Sequence, residues 1–240
     1  ANDNKNAVPN NAMAGPVTSL RWIDGFARAG TSMGGVGGIP VVGGGVIVQD
    51  DTRGYLPGEG PNPIRSMRLV CRDAHSGVVR WAVPVRGARL WLAIDREYLV
   101  SGYPLRDHPP ATIAYVHSLL TGEVVRTVRS DLGRVDAGMV EGVCRDGVAY
   151  IAAAESPQRE TAAAGRLLAY ELATGKVRWE LKADSFDSFF SPSLTPDGKR
   201  LVVVKAKGRR TTISARWPWV YIHSIACIDP TIGQVIWETD

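Results

Sequence analysis

The chain has 240 residues, 45% of them hydrophobic, with 28 Lys and Arg against 24 Asp and Glu and a formal charge of +4. Such a composition is globular, and its basic surplus is too small and too scattered for a nucleic-acid surface. No apolar run approaches the ~18 residues of a membrane span, and three cysteines, one of them necessarily unpaired, exclude a disulfide scaffold.

Residues 1–16 open with Ala1 and carry Asn2, Asn4, Asn6, Asn10 and Asn11. They read as a flexible polar arm behind a trimmed N-terminus, so a secreted or periplasmic location is the expectation. Residues 17–37 form a lead-in that holds Val17–Trp22, whose Leu-Arg-Trp ending echoes Val79-Arg80-Trp81 and Val177-Arg178-Trp179. Gly34-Gly35-Val36-Gly37-Gly38 and Gly43-Gly44-Gly45 lack a following helix or a Lys-Ser/Thr, so they are not phosphate loops. They suit places where backbones crowd together.

From residue 38 onward the order of pieces repeats. Each unit begins with two short β-branched or aromatic runs joined by a turn: Gly43–Gly45, Asp95–Glu97, Arg145–Gly147 and Thr195–Lys199. Asp-Gly between apolar runs is a strong hairpin signal, because glycine accepts a positive φ. Each unit ends on an eleven-residue phrase: Cys71–Trp81, Val116–Arg126, Ala169–Trp179 and Cys227–Trp237. Three copies place a carboxylate four residues before a glycine and a tryptophan four after it. They are Asp73/Gly77/Trp81, Glu171/Gly175/Trp179 and Asp229/Gly233/Trp237; the second has Ser118, Gly122 and Arg126 there, keeping the turn and losing both ends.

Glycine-to-glycine spacings are 45, 53 and 58 residues, and the shortest suits a four-stranded antiparallel blade. The expected architecture is an all-β propeller with about four blades in this chain, over residues 38–86, 87–130, 137–183 and 187–240. The surplus length falls in Glu155–Ala164 and Lys207–Arg216, which read as loops, as do Asp50–Arg65 and Tyr103–Pro110. In the phrase, the carboxylate should close the turn by accepting backbone N–H groups. Glycine takes the left-handed place, and the indoles of Trp81, Trp179 and Trp237 should wedge between neighbouring sheets.

Other constellations carry less. Cys71 and Cys227 hold the same phrase position, and with Cys144 read as core-facing thiols. His75 reads as an exposed turn residue, and His117 and His223 as strand histidines. No metal-ligand spacing, serine elbow or paired-carboxylate pattern occurs, so no catalytic, cofactor or metal residue is assigned. Arg106, Asp107 and His108, together with Arg209, Arg210, Trp217 and Trp219, form a candidate interaction surface on the loops.

The phrase resembles the tryptophan-docking motif of the pyrroloquinoline-quinone-type (PQQ-like) β-propellers, roughly Ala-x-Asp-x-x-Thr-Gly-Lys-x-x-Trp. Ala169-Tyr-Glu171-Leu-Ala-Thr174-Gly175-Lys176-Val-Arg-Trp179 follows it with Glu for Asp, and the likeness covers about residues 38–240. The resemblance implies a ring of six to eight blades, of which this chain supplies part. Val17–Trp22 would then be a closing outer strand, and further blades would come from a second chain, a second copy or the rest of a larger protein. Without such closure, Trp237 would face water.

That family includes quinone-dependent dehydrogenases and non-catalytic assembly or sensor propellers. The dehydrogenases' vicinal cysteine pair is absent here, and none of their metal-site residues can be matched. The leading expectation is a non-catalytic scaffold or protein-interaction module, extracytoplasmic, with no cofactor. The alternatives are part of a dehydrogenase, with PQQ and calcium, and a ligand-sensing domain of a membrane receptor or kinase.

Overall fold

The computed structural model describes residues 41–51, 67–85, 91–102, 112–129, 139–154, 165–184, 187–210 and 219–239. These residues form sixteen strands in four antiparallel sheets, each built in chain order. The first sheet is β1 (Val41–Gly43), β2 (Val46–Asp51), β3 (Met67–Asp73) and β4 (Val79–Val85). The second is β5 (Trp91–Asp95), β6 (Tyr98–Gly102), β7 (Thr112–Ser118) and β8 (Val124–Arg129). The third is β9 (Met139–Arg145), β10 (Val148–Ala154), β11 (Arg166–Glu171) and β12 (Val177–Lys182). The fourth is β13 (Asp187–Leu194), β14 (Leu201–Arg210), β15 (Trp219–Ile228) and β16 (Val235–Glu238).

Successive sheets pack face to face through their leading strands: β1 on β5, β5 on β9, and β13 on β9 and β10. Period-two alternation makes this possible, because each central strand has an apolar side chain for both faces. In β6, Leu99 joins the core shared with the first sheet, through Val48, Leu69 and Cys71, while Val100 joins the core shared with the third, through Ala149, Ile151 and Leu168. A third core lies between the last two sheets, with Tyr150, Leu167 and Ala169 facing Leu201, Val203 and Ala226. One core between each pair of neighbouring sheets is propeller construction. No helix is present among the described residues, and so none long and apolar enough to cross a membrane.

Glycines mark the closest approaches. At Gly43 in β1, a β-carbon would lie 2.8 Å from the side chain of Ile94 in the next sheet. Trp91, which the sequence pattern leaves unplaced, is buried in β5 with its ring against Gly102 and against Gly142 of β9. Its Nε1 is buried without a hydrogen-bond partner.

Two readings need correction or fall outside what is described. Lys207–Arg216 is not wholly loop: β14 runs to Arg210 and pairs residue for residue with β15, through Arg209↔Val220 and Arg210↔Trp219. Arg209, Arg210 and Trp219 are therefore strand residues. A run rich in Lys and Arg is no signal against a strand, since alternate residues of a strand can face solvent. Val17–Trp22, Arg106, Asp107, His108 and Trp217 lie outside the described residues.

Candidate functional site

The four phrases fold alike. The residue at the third position donates its N–H to the carbonyl of the eighth: Asp73 to Val78, Ser118 to Glu123, Glu171 to Lys176 and Asp229 to Gln234, at 2.8–2.9 Å. The glycine N–H returns to the third residue's carbonyl in every copy. Gly77, Gly122, Gly175 and Gly233 have φ between 74° and 78°, a region a side chain reaches only with strain.

The third-position side chain tightens the turn in different ways. Asp73 accepts the N–H groups of His75 and Ser76 at 3.0 and 2.8 Å and pairs with Arg80 at 2.6 Å. Asp229 accepts the N–H of Thr231 at 2.8 Å. Glu171, one carbon longer, instead takes the hydroxyl of Thr174 and the guanidinium of Arg178. Hydrogen bonds from Ser76 and Arg80 hold the Asp73 carboxyl well below the usual carboxylate range, and those from Thr174 and Arg178 lower Glu171. His75 is exposed, as a turn residue should be.

A bulge follows in each blade. The register shifts between the first and second phrase residues: Cys71/Arg72, Val116/His117, Ala169/Tyr170 and Cys227/Ile228. The tenth residue (Arg80, Val125, Arg178 or Ile236) is the extra one. The eleventh is thereby placed opposite the first, on the face that meets the next blade.

There the eleventh residue docks. Trp81 is buried, and its Nε1 donates to the Leu119 carbonyl of the second sheet at 2.9 Å. Trp179 donates to the Pro230 carbonyl of the fourth sheet at the same distance and packs on Tyr150. Leu119 and Pro230 hold the same place in their phrases, and each ring lies on the next phrase's glycine. A β-carbon would stand 2.6 Å from Trp81 at Gly122, and 2.7 Å from Trp179 at Gly233.

Arg126 shows that the second copy has not lost its docking end. Its guanidinium donates to the Ala173 carbonyl of the third sheet, and its stem lies against Gly175. A long side chain with a flat, donating head does the indole's task. Trp237 meets no further phrase within the described residues and is 47% exposed.

A second set of contacts joins the leading hairpins. The Asp95 carboxylate accepts the Gly147 N–H. Arg145 donates to the Pro196 carbonyl at 2.7 Å and the Thr195 carbonyl at 3.2 Å while lying on Gly198, and Glu141 accepts from Ser191. Sequence reasoning missed these, since no repeat marks them; the one usable signal was Gly147 and Gly198 in matching turns.

His117 is buried between Ser101 and the Gly122 carbonyl, at 2.7 and 3.0 Å. The carbonyl requires Nδ1 to carry the proton, so Nε2 accepts from Ser101. Burial lowers its pKa from the ordinary imidazole value. His223 is exposed. The three thiols are free: Cys71 and Cys227 are buried, Cys144 packs against the core, and burial pushes the Cys71 thiol up to about 11. Such a thiol is inert at neutral pH. Among the described residues no group of three His, Cys, Asp or Glu could hold a metal ion.

Comparison with known proteins gives a consistent picture of the fold. The family model described as outer membrane protein assembly factor BamB matches residues 111–240. No curated protein matches the sequence significantly. Among solved structures, quinohemoprotein alcohol dehydrogenase from Comamonas testosteroni is similar with a TM-score of 0.57 at 14% identity, over 84% of this chain and 34% of that one. The β-propeller domain of the trilobed protease from Pyrococcus furiosus, described as having an open velcro topology, gives 0.52 at 11% identity, over 85% and 57%. BamB from Moraxella catarrhalis gives 0.46 at 15% identity, over 81% and 58%. The chain thus spans about a third to three-fifths of the length of these proteins. With a family model covering more than half of its residues, the chain belongs to the PQQ-like β-propeller repeat family represented by outer membrane protein assembly factor BamB.

Proposed function

We propose that this chain is a non-catalytic, extracytoplasmic scaffold module, part of a larger propeller that holds protein partners in the manner the BamB description names: outer membrane protein assembly. The observation that carries the reading is the family match over residues 111–240, which takes in β7 and β8 of the second sheet and the whole of the third and fourth. The chemistry of the repeats supports it. The carboxylates with the most regular spacing are spent on closing turns, and the flat donors at the phrase ends on joining blades. A rigid array of this kind offers strand-end surfaces on which a partner can be held in one orientation.

The test is a pair of titrations on the purified protein. Calorimetry with soluble periplasmic domains of outer-membrane assembly proteins should show a saturable complex. Absorbance titration with PQQ in the presence of calcium should show none. Quinone binding without any protein complex would overturn the scaffold reading in favour of a dehydrogenase.

A further inference from the structure

We propose that the outer edge of β15 over Trp219–His223 is a strand-addition site, and that its occupant is an extended acidic segment of a protein partner. The proposal deepens the scaffold reading above, on which it rests, by naming where a partner is held and what kind of chain it presents.

Strand lengths set this edge apart. β3, β7 and β11 begin four, four and three residues before their phrases, at Met67, Thr112 and Arg166. The outer strand covers each of them to that first residue, through Met67↔Val85, Thr112↔Arg129 and Arg166↔Lys182. β15 begins eight residues before its phrase, at Trp219. Its outermost ladder pair with β16 is Ala226↔Glu238, beyond which the Thr239 N–H donates to the Ile225 carbonyl at 2.9 Å. An outer strand of the same extent as β12, stopping three residues past its tryptophan, would reach only to Ser224. The extra length thus belongs to β15 itself, and β14 matches it out to Arg210↔Trp219.

The backbone of this extension is paired on one side. Alternate residues of a strand direct their N–H and C=O to opposite edges. Ile225 bonds Thr239 on the outer side, so His223, Tyr221 and Trp219 direct their groups the same way. Among the described residues no strand pairs with that edge. A donor and an acceptor from each of three successive positions form a template that an extended chain completes.

The sequence does nothing to blunt it. The outer strands of the first three sheets carry Arg80 and Pro84, Arg126 and Arg129, and Arg178 and Lys182, residue types that discourage edge pairing. Trp219-Val220-Tyr221-Ile222-His223 has no Lys, Arg or Pro, and consists mainly of aromatic and β-branched types that favour a strand.

Charge selects the occupant. The segment from Lys199 to Ile228 holds seven of the chain's 28 Lys and Arg and none of its 24 Asp and Glu, so the rest of the molecule is net acidic. Lys205 and Lys207 share one carboxylate, Glu238, at 3.3 and 3.4 Å, and Arg209 and Arg210 follow in the same strand. A strand added to β15 would run two sheet spacings, about 10 Å, from β14, which is about one screening length at moderate salt. Acidic side chains on it are therefore attracted, in a salt-dependent way. A second copy would bring the same cations together across the new pairing, and like charges set against each other oppose association.

The experiment titrates the full chain into three fluorescein-labelled octapeptides, read by fluorescence anisotropy. One alternates Val and Glu, one alternates Val and Lys, and the third is the Val-Glu peptide with every amide N-methylated, which keeps the charge and removes the backbone donors. The Val-Glu peptide should bind saturably, and the other two roughly tenfold more weakly or not at all. Tyr221→Pro removes an outward N–H without touching the ladder to β14, and should weaken the Val-Glu peptide by a similar factor. Arg209→Glu combined with Arg210→Glu should shift the preference towards the Val-Lys peptide. The N-methylated peptide tests the edge on the unmodified protein, so the result stands even if Tyr221→Pro fails to fold. Equal binding of the N-methylated peptide overturns the proposal, since a cationic surface then takes any polyanion. Equal binding of the Val-Lys peptide, or no saturable binding, overturns it too. So does a dimer in sedimentation equilibrium that Tyr221→Pro abolishes, since a second copy is then the occupant. Failure of the Val-Glu peptide alongside an intact calorimetric complex with assembly domains would remove this edge and leave the scaffold reading. Quinone binding without a protein complex would remove that reading and leave the peptide result standing.

Discussion

The ring of Trp179 rests on the backbone of Gly233, so close that a β-carbon on the glycine would stand 2.7 Å from the indole. The same residue's Nε1 reaches the Pro230 carbonyl three residues upstream of that glycine. One side chain therefore reads both the conformation and the hydrogen-bonding pattern of the neighbouring turn, and can do so only if the turn is glycine-closed.

Gly233→Ala and Gly122→Ala should each destabilise the protein by more than the ~1–2 kcal/mol that a left-handed residue costs by itself, because the added methyl also displaces an indole. Gly45→Ala, at φ 73° with open space around it, should show the backbone cost alone. Urea midpoints of the three variants measure the difference.

Arg126→Ala should cost about 1 kcal/mol, the net worth of its bond to Ala173 with some lost packing. Arg126→Lys should not recover it, since an ammonium cannot lie flat on Gly175 and still donate to the turn. Chemical denaturation of both variants gives the comparison.

His117 makes stability depend on pH with a defined sign. Its folded pKa is lowered by burial, so its contribution is complete above the ordinary imidazole pKa and is lost as pH falls below that value through the depressed folded one. Unfolding free energy measured from pH 8 down to pH 5 should decline more steeply for the wild type than for His117→Gln, which removes the titration.

Much of this fold was legible because the phrase repeats by position: glycine at the turn, β-branched residues flanking it, and tryptophan at a fixed distance. Less legible was anything that breaks the period-two rule. Alternation places the ninth and eleventh residues on one face, yet the bulge at Arg80, Val125, Arg178 or Ile236 sends them to opposite faces. Arg126 was passed over for a related reason: a residue type hides a shared task when a guanidinium does the work of an indole. Pro230 is a further case. Its counterparts Ala74, Leu119 and Leu172 donate to the carbonyls of their own leading hairpins. Proline cannot donate, yet its carbonyl still receives Trp179. Trp91 carried no repeat signature, because its seat is made by Gly102 and Gly142, one in its own sheet and one in the next.

The central claim is that phrase-end side chains are locked by the following blade, with the last one left open. An alanine scan of the three indoles tests it most directly, by denaturant unfolding of the intact chain. Trp81→Ala should cost about 3–5 kcal/mol, the usual range for emptying a buried tryptophan site, and Trp179→Ala, at a half-buried site, less than that but clearly more than Trp237→Ala, which should change stability by less than about 1 kcal/mol. Equal losses at all three positions would contradict the account.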